Sequence, residues 1–200
     1  KVLKDKLVQF KRRRDVQRRA RARGEVLSVS LVGYTNAGKS TLFNTLTHAG
    51  SYAADQLFAT LDTTTRRMYL AATGNLVLSD TVGFIRNLPH SLVASFRATL
   101  EETIQADLLL HVVDASSGAR EPQIAAVNKV LAEIGADAIP QVLVWNKVDL
   151  SAVPPGLARD EYGKIRRVCL SAKTGAGLDF LRDALTEVAA AKKSAAIHRD

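Results

Sequence analysis

The chain has 200 residues, 46% of them hydrophobic and 24% charged, which is enough for one well-packed domain. It contains no run of the eighteen or so apolar residues that a membrane helix requires, and it opens at Lys1 without an apolar secretory segment, so the expectation is a cytoplasmic segment cut from a longer soluble protein. The net charge of +8 is concentrated: residues 1–24 hold eleven Lys and Arg against Asp5 and Asp15, and the other 176 residues hold seventeen against eighteen Asp and Glu.

Residues 1–23 read as a helix stopped at Gly24, with Leu3, Leu7 and Phe10 on one narrow stripe. Its apolar surface is too small for it to fold alone. The run from Lys11 to Arg23 is either a solvated face or a surface that touches RNA phosphates, and so dense a positive charge favours the second. From Val26 onward, short apolar runs alternate with helical patterns. Val26–Val32 reads as a buried strand, followed by a glycine loop and a helix from Lys39 to about His48. Arg66–Ala72 and Leu76–Ser79 read as a hairpin turned at Thr73-Gly-Asn75. Then come a helix over Pro89–Gln105, a strand over Leu108–Val113, a helix over Glu121–Ile134, strands at Gln141–Trp145 and Arg167–Leu170, and a closing helix over Leu178–Ala191.

This alternation predicts an α/β fold: a mixed six-stranded sheet, order 2-3-1-4-5-6, with only the hairpin strand antiparallel. The expected division is a basic helix over 1–24, one domain over 25–192 and a tail over 193–200. Cys169, in an apolar run, reads as a buried strand residue in a reducing compartment.

Gly33-Tyr-Thr-Asn-Ala-Gly-Lys-Ser40 fits the phosphate-binding pattern G-x-x-x-x-G-K-[ST] between a strand and a helix. Gly33 and Gly38 let the backbone N–H groups of Tyr34, Thr35, Asn36 and Ala37 curl around a polyphosphate. The helix N-terminus at Ser40 and Thr41 adds its positive dipole end, and Lys39 adds a point charge. The Ser40 hydroxyl suits Mg²⁺. Asp80-Thr81-Val82-Gly83 follows the second hairpin strand, where Asp80 can serve the same ion and the Gly83 N–H can meet a γ-phosphate. In Asn146-Lys147-Val148-Asp149 the Asp149 carboxylate can accept both guanine N1–H and the exocyclic amine, a donor pair that adenine lacks. Ser171-Ala172-Lys173 closes the base pocket. Four motifs in order, all at C-terminal strand ends, predict a P-loop NTPase fold with a Ras-like G domain over 25–192 and GTP and GDP as ligands, and an ATP-specific site is disfavoured.

A switch residue completing the Mg²⁺ shell belongs between the first helix and the hairpin, where Phe58-Ala59-Thr60-Leu61-Asp62 is followed by Thr63, Thr64 and Thr65. Spacing alone leaves the four threonines open.

The run YTNAGKSTLFNTLT with YAADQLFATLD, DTVGFIRNLPH and HVVDAS resembles the HflX family of ribosome-associated GTPases over residues 25–190. The resemblance picks Thr60 as the switch threonine. It implies that residues 1–24 end an upstream helical hairpin, and that the parent protein works with the large ribosomal subunit in splitting and rescue, the chain itself being monomeric. The chain departs from the family pattern at Thr63, where some members carry Pro, and at Trp145, which replaces an aliphatic residue or Met. Phe84 stands where Ras-like enzymes carry the glutamine that orients the attacking water, so slow intrinsic turnover is expected, stimulated by a partner. Asn36 matches the phosphate-loop asparagine of potassium-activated, TrmE-like GTPases, where it either helps to bind K⁺ or only shapes the turn. The catalytic set expected is therefore Lys39, Thr60, Gly83 and Asn36. His90 reads as a surface or capping residue and His111 as a satisfied core histidine. Two rival readings are a binding module with negligible hydrolysis, and a GTPase that engages tRNA or assembling rRNA.

Overall fold

The computed structural model describes residues 26–47, 64–81, 83 and 97–197. The basic segment 1–24, Thr60 with its neighbours, Val82, Phe84 and His90 lie outside the described residues. The elements in chain order are β1 (Leu27–Gly33), α1 (Lys39–Thr47), β2 (Thr64–Leu70), β3 (Gly74–Asp80), α2 (Arg97–Ile104), β4 (Leu108–Asp114), α3 (Arg120–Glu133), β5 (Gln141–Asn146), β6 (Gly156–Arg159), β7 (Ile165–Cys169) and α4 (Leu178–Ile197). A single 3-10 turn at Val148–Leu150 follows β5. Among the described residues no helix is long and apolar enough to cross a membrane.

The sheet order is β2-β3-β1-β4-β5-β7-β6. The central strands β3, β1, β4, β5 and β7 are parallel, and an antiparallel strand closes each edge. This corrects the six-stranded expectation: β6 is a seventh strand, and the hairpin strand is not alone in running antiparallel. Strand β6 escapes pattern reading because its four residues follow Pro154 and Pro155 and show no alternation. It exists because its backbone completes the β7 edge and Leu157 packs on the core. The turn between them is tied by Asp160, whose Oδ1 accepts Tyr162 N and Lys164 N, both at 2.9 Å. Helix α4 also overruns its predicted end at Ala191, so residues 193–197, expected as tail, are helical.

Every residue of β1 is buried, as a central parallel strand covered on both faces must be. Leu27, Val29 and Leu31 join one core cluster with Leu42 and Phe43 of α1 and Leu181 and Leu185 of α4. Val32 joins a second cluster, with Leu100 of α2 and Val127 and Leu131 of α3. Cys169 is buried at the end of β7, and burial raises its thiol pKa, in keeping with a structural role.

His111 in β4 is 1% exposed. Burial pushes its imidazole down to about 4; a hydrogen bond with Gln141 opposes the fall and the positive charge of Lys39 adds to it. Its Nδ1 has no partner among the described residues, so it is a core histidine held neutral but only partly satisfied. The unfolded chain takes up this proton near pH 6.5 and the folded chain only near 4. Stability is therefore lost as pH falls through that window, with no contribution from this group above it. His111→Leu is expected to flatten the slope of unfolding free energy between pH 7 and pH 5, where His111 accounts for about 2 kcal/mol. Denaturant titrations at both pH values check this, and an unchanged slope would mean that the folded imidazole is charged.

Candidate nucleotide-binding site

Parallel register brings the motif residues to one edge of the sheet. Leu31 pairs with Asp80, Gly33 with Val112, and Asp114 with Asn146, so the C-terminal ends of β1, β3, β4 and β5 stand side by side. The phosphate loop leaves β1 at Gly33, which has φ +153° and passes so close to β4 that an added Cβ would lie 2.3 Å from Val112 O. At Gly38, φ is +92° and an added Cβ would lie 2.3 Å from Asn146 Nδ2. Both positions exclude a side chain on contact grounds as well as conformation. Between them Asn36 takes the left-handed conformation, φ 59°, which Asn tolerates better than most residues, and it is exposed. Tyr34 packs against the second core cluster and Ala37 is buried in the first.

Lys39 opens α1 yet is 6% exposed. Its Nζ donates to Gly33 O at 3.2 Å and Tyr34 O at 3.0 Å. Burial lowers its pKa to about 8, and the Asp80 carboxylate opposes that fall. Ser40 Oγ donates to Asp80 Oδ2 at 2.8 Å. These hard oxygen donors beside a buried cation fit a Mg²⁺ ion, for which Ser40 and Asp80 would be the protein ligands. Thr81 is buried and donates from Oγ1 to Leu31 O at 2.5 Å, tying the chain after β3 back to β1. Gly83 abuts the loop: an added Cβ would lie 2.9 Å from Thr35 Cγ2 and 3.0 Å from Lys39 Nζ. Thr41 accepts a hydrogen bond at its carbonyl from Thr45 Oγ1 at 2.9 Å, and the same hydroxyl reaches Ala172 O at 3.0 Å. Thr64 and Thr65 lie within β2, Thr65 Oγ1 being 3.1 Å from Ser79 Oγ, as strand residues.

The base-recognition motif is divided in its duties. Asn146 is 2% exposed; its Nδ2 donates to Ala37 O at 3.0 Å and its Oδ1 accepts Ala172 N at 2.9 Å. Lys147 donates from Nζ to Asn36 O at 2.8 Å and to Asp114 Oδ2 at 2.7 Å. Asp149 remains exposed within the 3-10 turn, with its carboxylate available to a base. Ser171 is buried, its Oγ accepting Thr174 N at 3.2 Å, and Lys173 is exposed. The geometry thus assembles Gly33–Thr41, Asp80, Thr81, Gly83, Asn146–Asp149 and Ser171–Lys173; Phe58–Asp62 and Val82 lie outside the described residues. It also adds Asp114, to which the sequence reading gave no role. The available signal was its place at the end of a central strand, level with Asn146.

Asn146→Ala removes both amide contacts and strands a buried carbonyl and a buried N–H. A loss of about 2–4 kcal/mol in unfolding free energy is expected, read by urea denaturation through the fluorescence of the single tryptophan. A loss below about 0.5 kcal/mol would show that other contacts hold the three segments together.

Residues 28–147 match the family model described as 50S ribosome-binding GTPase. The chain is 56% identical over 186 residues to GTPase HflX of Escherichia coli strain K12, covering 92% of this chain and 44% of that protein. It is 47% identical over 186 residues to GTPase HflX of Caldanaerobacter subterraneus subsp. tengcongensis, covering 92% and 42%. Among solved structures, it is similar to a GTP-binding protein of Sulfolobus solfataricus in complex with GDP, at 25% identity and a TM-score of 0.61, covering 94% of this chain and 61% of that one. The chain spans less than half the length of the curated relatives it matches. With the phosphate loop, the guanine-reading motif and a matching sheet in place, the chain belongs to the HflX GTPase family and carries its G domain.

Proposed function

We propose that this chain binds GTP and GDP and hydrolyses GTP slowly, as the switch domain of a protein that works on the large ribosomal subunit in the cytoplasm. The observation that carries the reading is the buried Lys39 ammonium, set among the loop carbonyls, beside the Ser40–Asp80 pair and linked through Asn146 to the motif that bears Asp149. A buried cation at a helix N-terminus is an anion site awaiting polyphosphate. An exposed carboxylate two residues after Lys147 supplies the complementary acceptors for a guanine edge. Mg²⁺, when bound, would screen the phosphate charge. The ribosomal assignment rests on the family, whose model is described as binding the 50S subunit.

Lys39 and the loop N–H groups hold the phosphates, and Asp149 selects the base. Thr60 and the Gly83 N–H are assigned to sensing the γ-phosphate. Phe84 offers no hydrogen bond to a water, so the water must be ordered by a partner or its transition-state charge met by K⁺ near Asn36. Turnover equal in K⁺ and Na⁺ would remove Asn36 from that role. The rival reading, a binding module without turnover, draws on the same Phe84.

Multiple-turnover phosphate release, lost by at least about 100-fold in Lys39→Ala, separates enzyme from binding module; release that persists in the variant would overturn the assignment. Asp149→Asn is expected to weaken GDP binding and to improve binding of xanthosine diphosphate, whose C2 oxygen needs a donor where guanine needs an acceptor. Affinity for GDP is also expected to decline as pH rises past about 8, where Lys39 loses its proton in the free protein. Fluorescent-nucleotide titrations from pH 7 to 9.5 check the sign, and a flat profile would mean that binding is not linked to protonation of Lys39 in that range.

A further inference from the structure

We propose that Asp114 is a positioning residue of the nucleotide site: through Lys147 it holds both the turn of the phosphate loop at Asn36 and the backbone that presents Asp149. The proposal rests on the reading of this edge as a GTP site and adds to it a residue that touches no nucleotide.

Among the described residues, the non-glycine positions with positive φ are Asn36 at 59° and Lys147 at 63°. They lie 111 residues apart and are joined by one hydrogen bond, Lys147 Nζ to Asn36 O at 2.8 Å. Left-handed backbone is unfavourable for an L residue, and such strain persists only where surrounding contacts over-determine it. Lys147 is the residue that leads into the 3-10 turn carrying Asp149. Its conformation therefore sets where the base-reading carboxylate stands, while its ammonium sets where the phosphate loop turns.

A lysine ammonium on four methylenes does not hold a fixed position by itself. Asp114 supplies the second anchor. Its Oδ2 accepts Lys147 Nζ at 2.7 Å, and its Oδ1 accepts Ser116 N at 2.9 Å and Ser116 Oγ at 2.6 Å. Both carboxylate oxygens are thus committed, which fixes the plane of the group. The carboxylate ends β4 and pairs in register with Asn146. Ala115 N donates to Asn146 O at 2.8 Å, so the anchor is built into the sheet. Burial alone would raise the Asp114 pKa, but hydrogen bonds from Lys147 and Ser116 bring it below the ordinary carboxylate range. The ion pair is partly shielded, its side chains being 23% and 19% exposed. A charge-assisted bond in such surroundings is of the strong kind.

The test measures GDP and inosine diphosphate affinities and dissociation rates by stopped-flow fluorescence, for Asp114→Ala and Asp114→Asn. Each is made in the wild-type and the Lys147→Ala backgrounds. Asp114→Ala is expected to weaken GDP binding about 10- to 100-fold, mostly through faster dissociation. The preference for GDP over inosine diphosphate, which lacks the amine that Asp149 accepts, falls with it. Asp114→Asn keeps an oxygen for Lys147 and recovers part of the loss. In the Lys147→Ala background, Asp114→Ala changes affinity less than about threefold, because the residue acts through Lys147. Equal losses in both backgrounds, or an unchanged GDP preference, would overturn the proposal in favour of a purely structural role. If Asp114→Ala does not fold, the Asn variant carries the same comparison. Wild-type protein that fails to bind GDP would bring down the GTP reading itself, whereas tight wild-type binding with unaffected variants brings down only the role of Asp114.

Discussion

The side-chain amide of Asn146 joins segments that are otherwise far apart in the chain. Its NH₂ end donates to Ala37 in the phosphate loop, and its oxygen accepts from Ala172 after β7. Only a group with a donor and an acceptor at opposite corners of one rigid plane can do both. A loop of two glycines and a left-handed asparagine has little conformational preference of its own, so its shape must be imposed from outside. Buried bonds of this kind are stronger than their exposed counterparts, and their loss is correspondingly expensive. Lys147 makes a similar attachment from the exposed side. The phosphate loop, the turn that bears Asp149 and the segment at Ala172 are therefore tied together in the folded chain.

The sheet makes that attachment possible. Strands β1, β3, β4 and β5 end level with one another, so Gly33, Asp80, Asp114 and Asn146 share one edge. The same edge carries an energetic tension. Burying Lys39 is unfavourable, as its lowered pKa records, and two loop carbonyls with the nearby Asp80 only partly offset that cost. An incoming polyanion relieves it. The site holds in its folded form a charge that its ligand completes, so binding and protonation of Lys39 favour each other.

The parts of this arrangement that were legible in the sequence are those with local physics. Glycine spacing in Gly33–Ser40, alternation in the hairpin, and apolar runs that end at Asp80 and Asn146 each announce a strand end or a loop without reference to distant residues. Strand β6 was invisible because it owes its existence to pairing with β7, not to its own pattern. The extension of α4 to Ile197 comes from helix-favouring Ala and Lys residues that give no stop signal. The structural duty of Asn146 and the part played by Asp114 depend on contacts 26 to 111 residues away. No window along the chain contains both partners of such a contact. Thr60 illustrates the opposite limit: the family pattern selects it, while spacing left four threonines equal.

Trp145 stands where the fold lacks an element. A parallel sheet needs cover on both faces, and the connection from β5 to β7 contributes a 3-10 turn and an edge strand where a crossover helix would ordinarily lie. The indole fills part of that gap between two guanidinium groups, Arg120 at 4.2 Å and Arg167 at 4.1 Å from the ring centroid. Stacked in this way, the arginines bring apolar contact and cation–π attraction, and the Nε of each arginine and the indole Nε1 are buried without a hydrogen-bond partner among the described residues. An aliphatic side chain here would leave both charges without a partner face. The larger ring is thus coupled to the two arginines, at the margin of a cleft that is also lined by His111, Ile124 and Leu143. Because Trp145 immediately precedes Asn146, this stack lies directly beside the end of β5 from which the nucleotide edge is built.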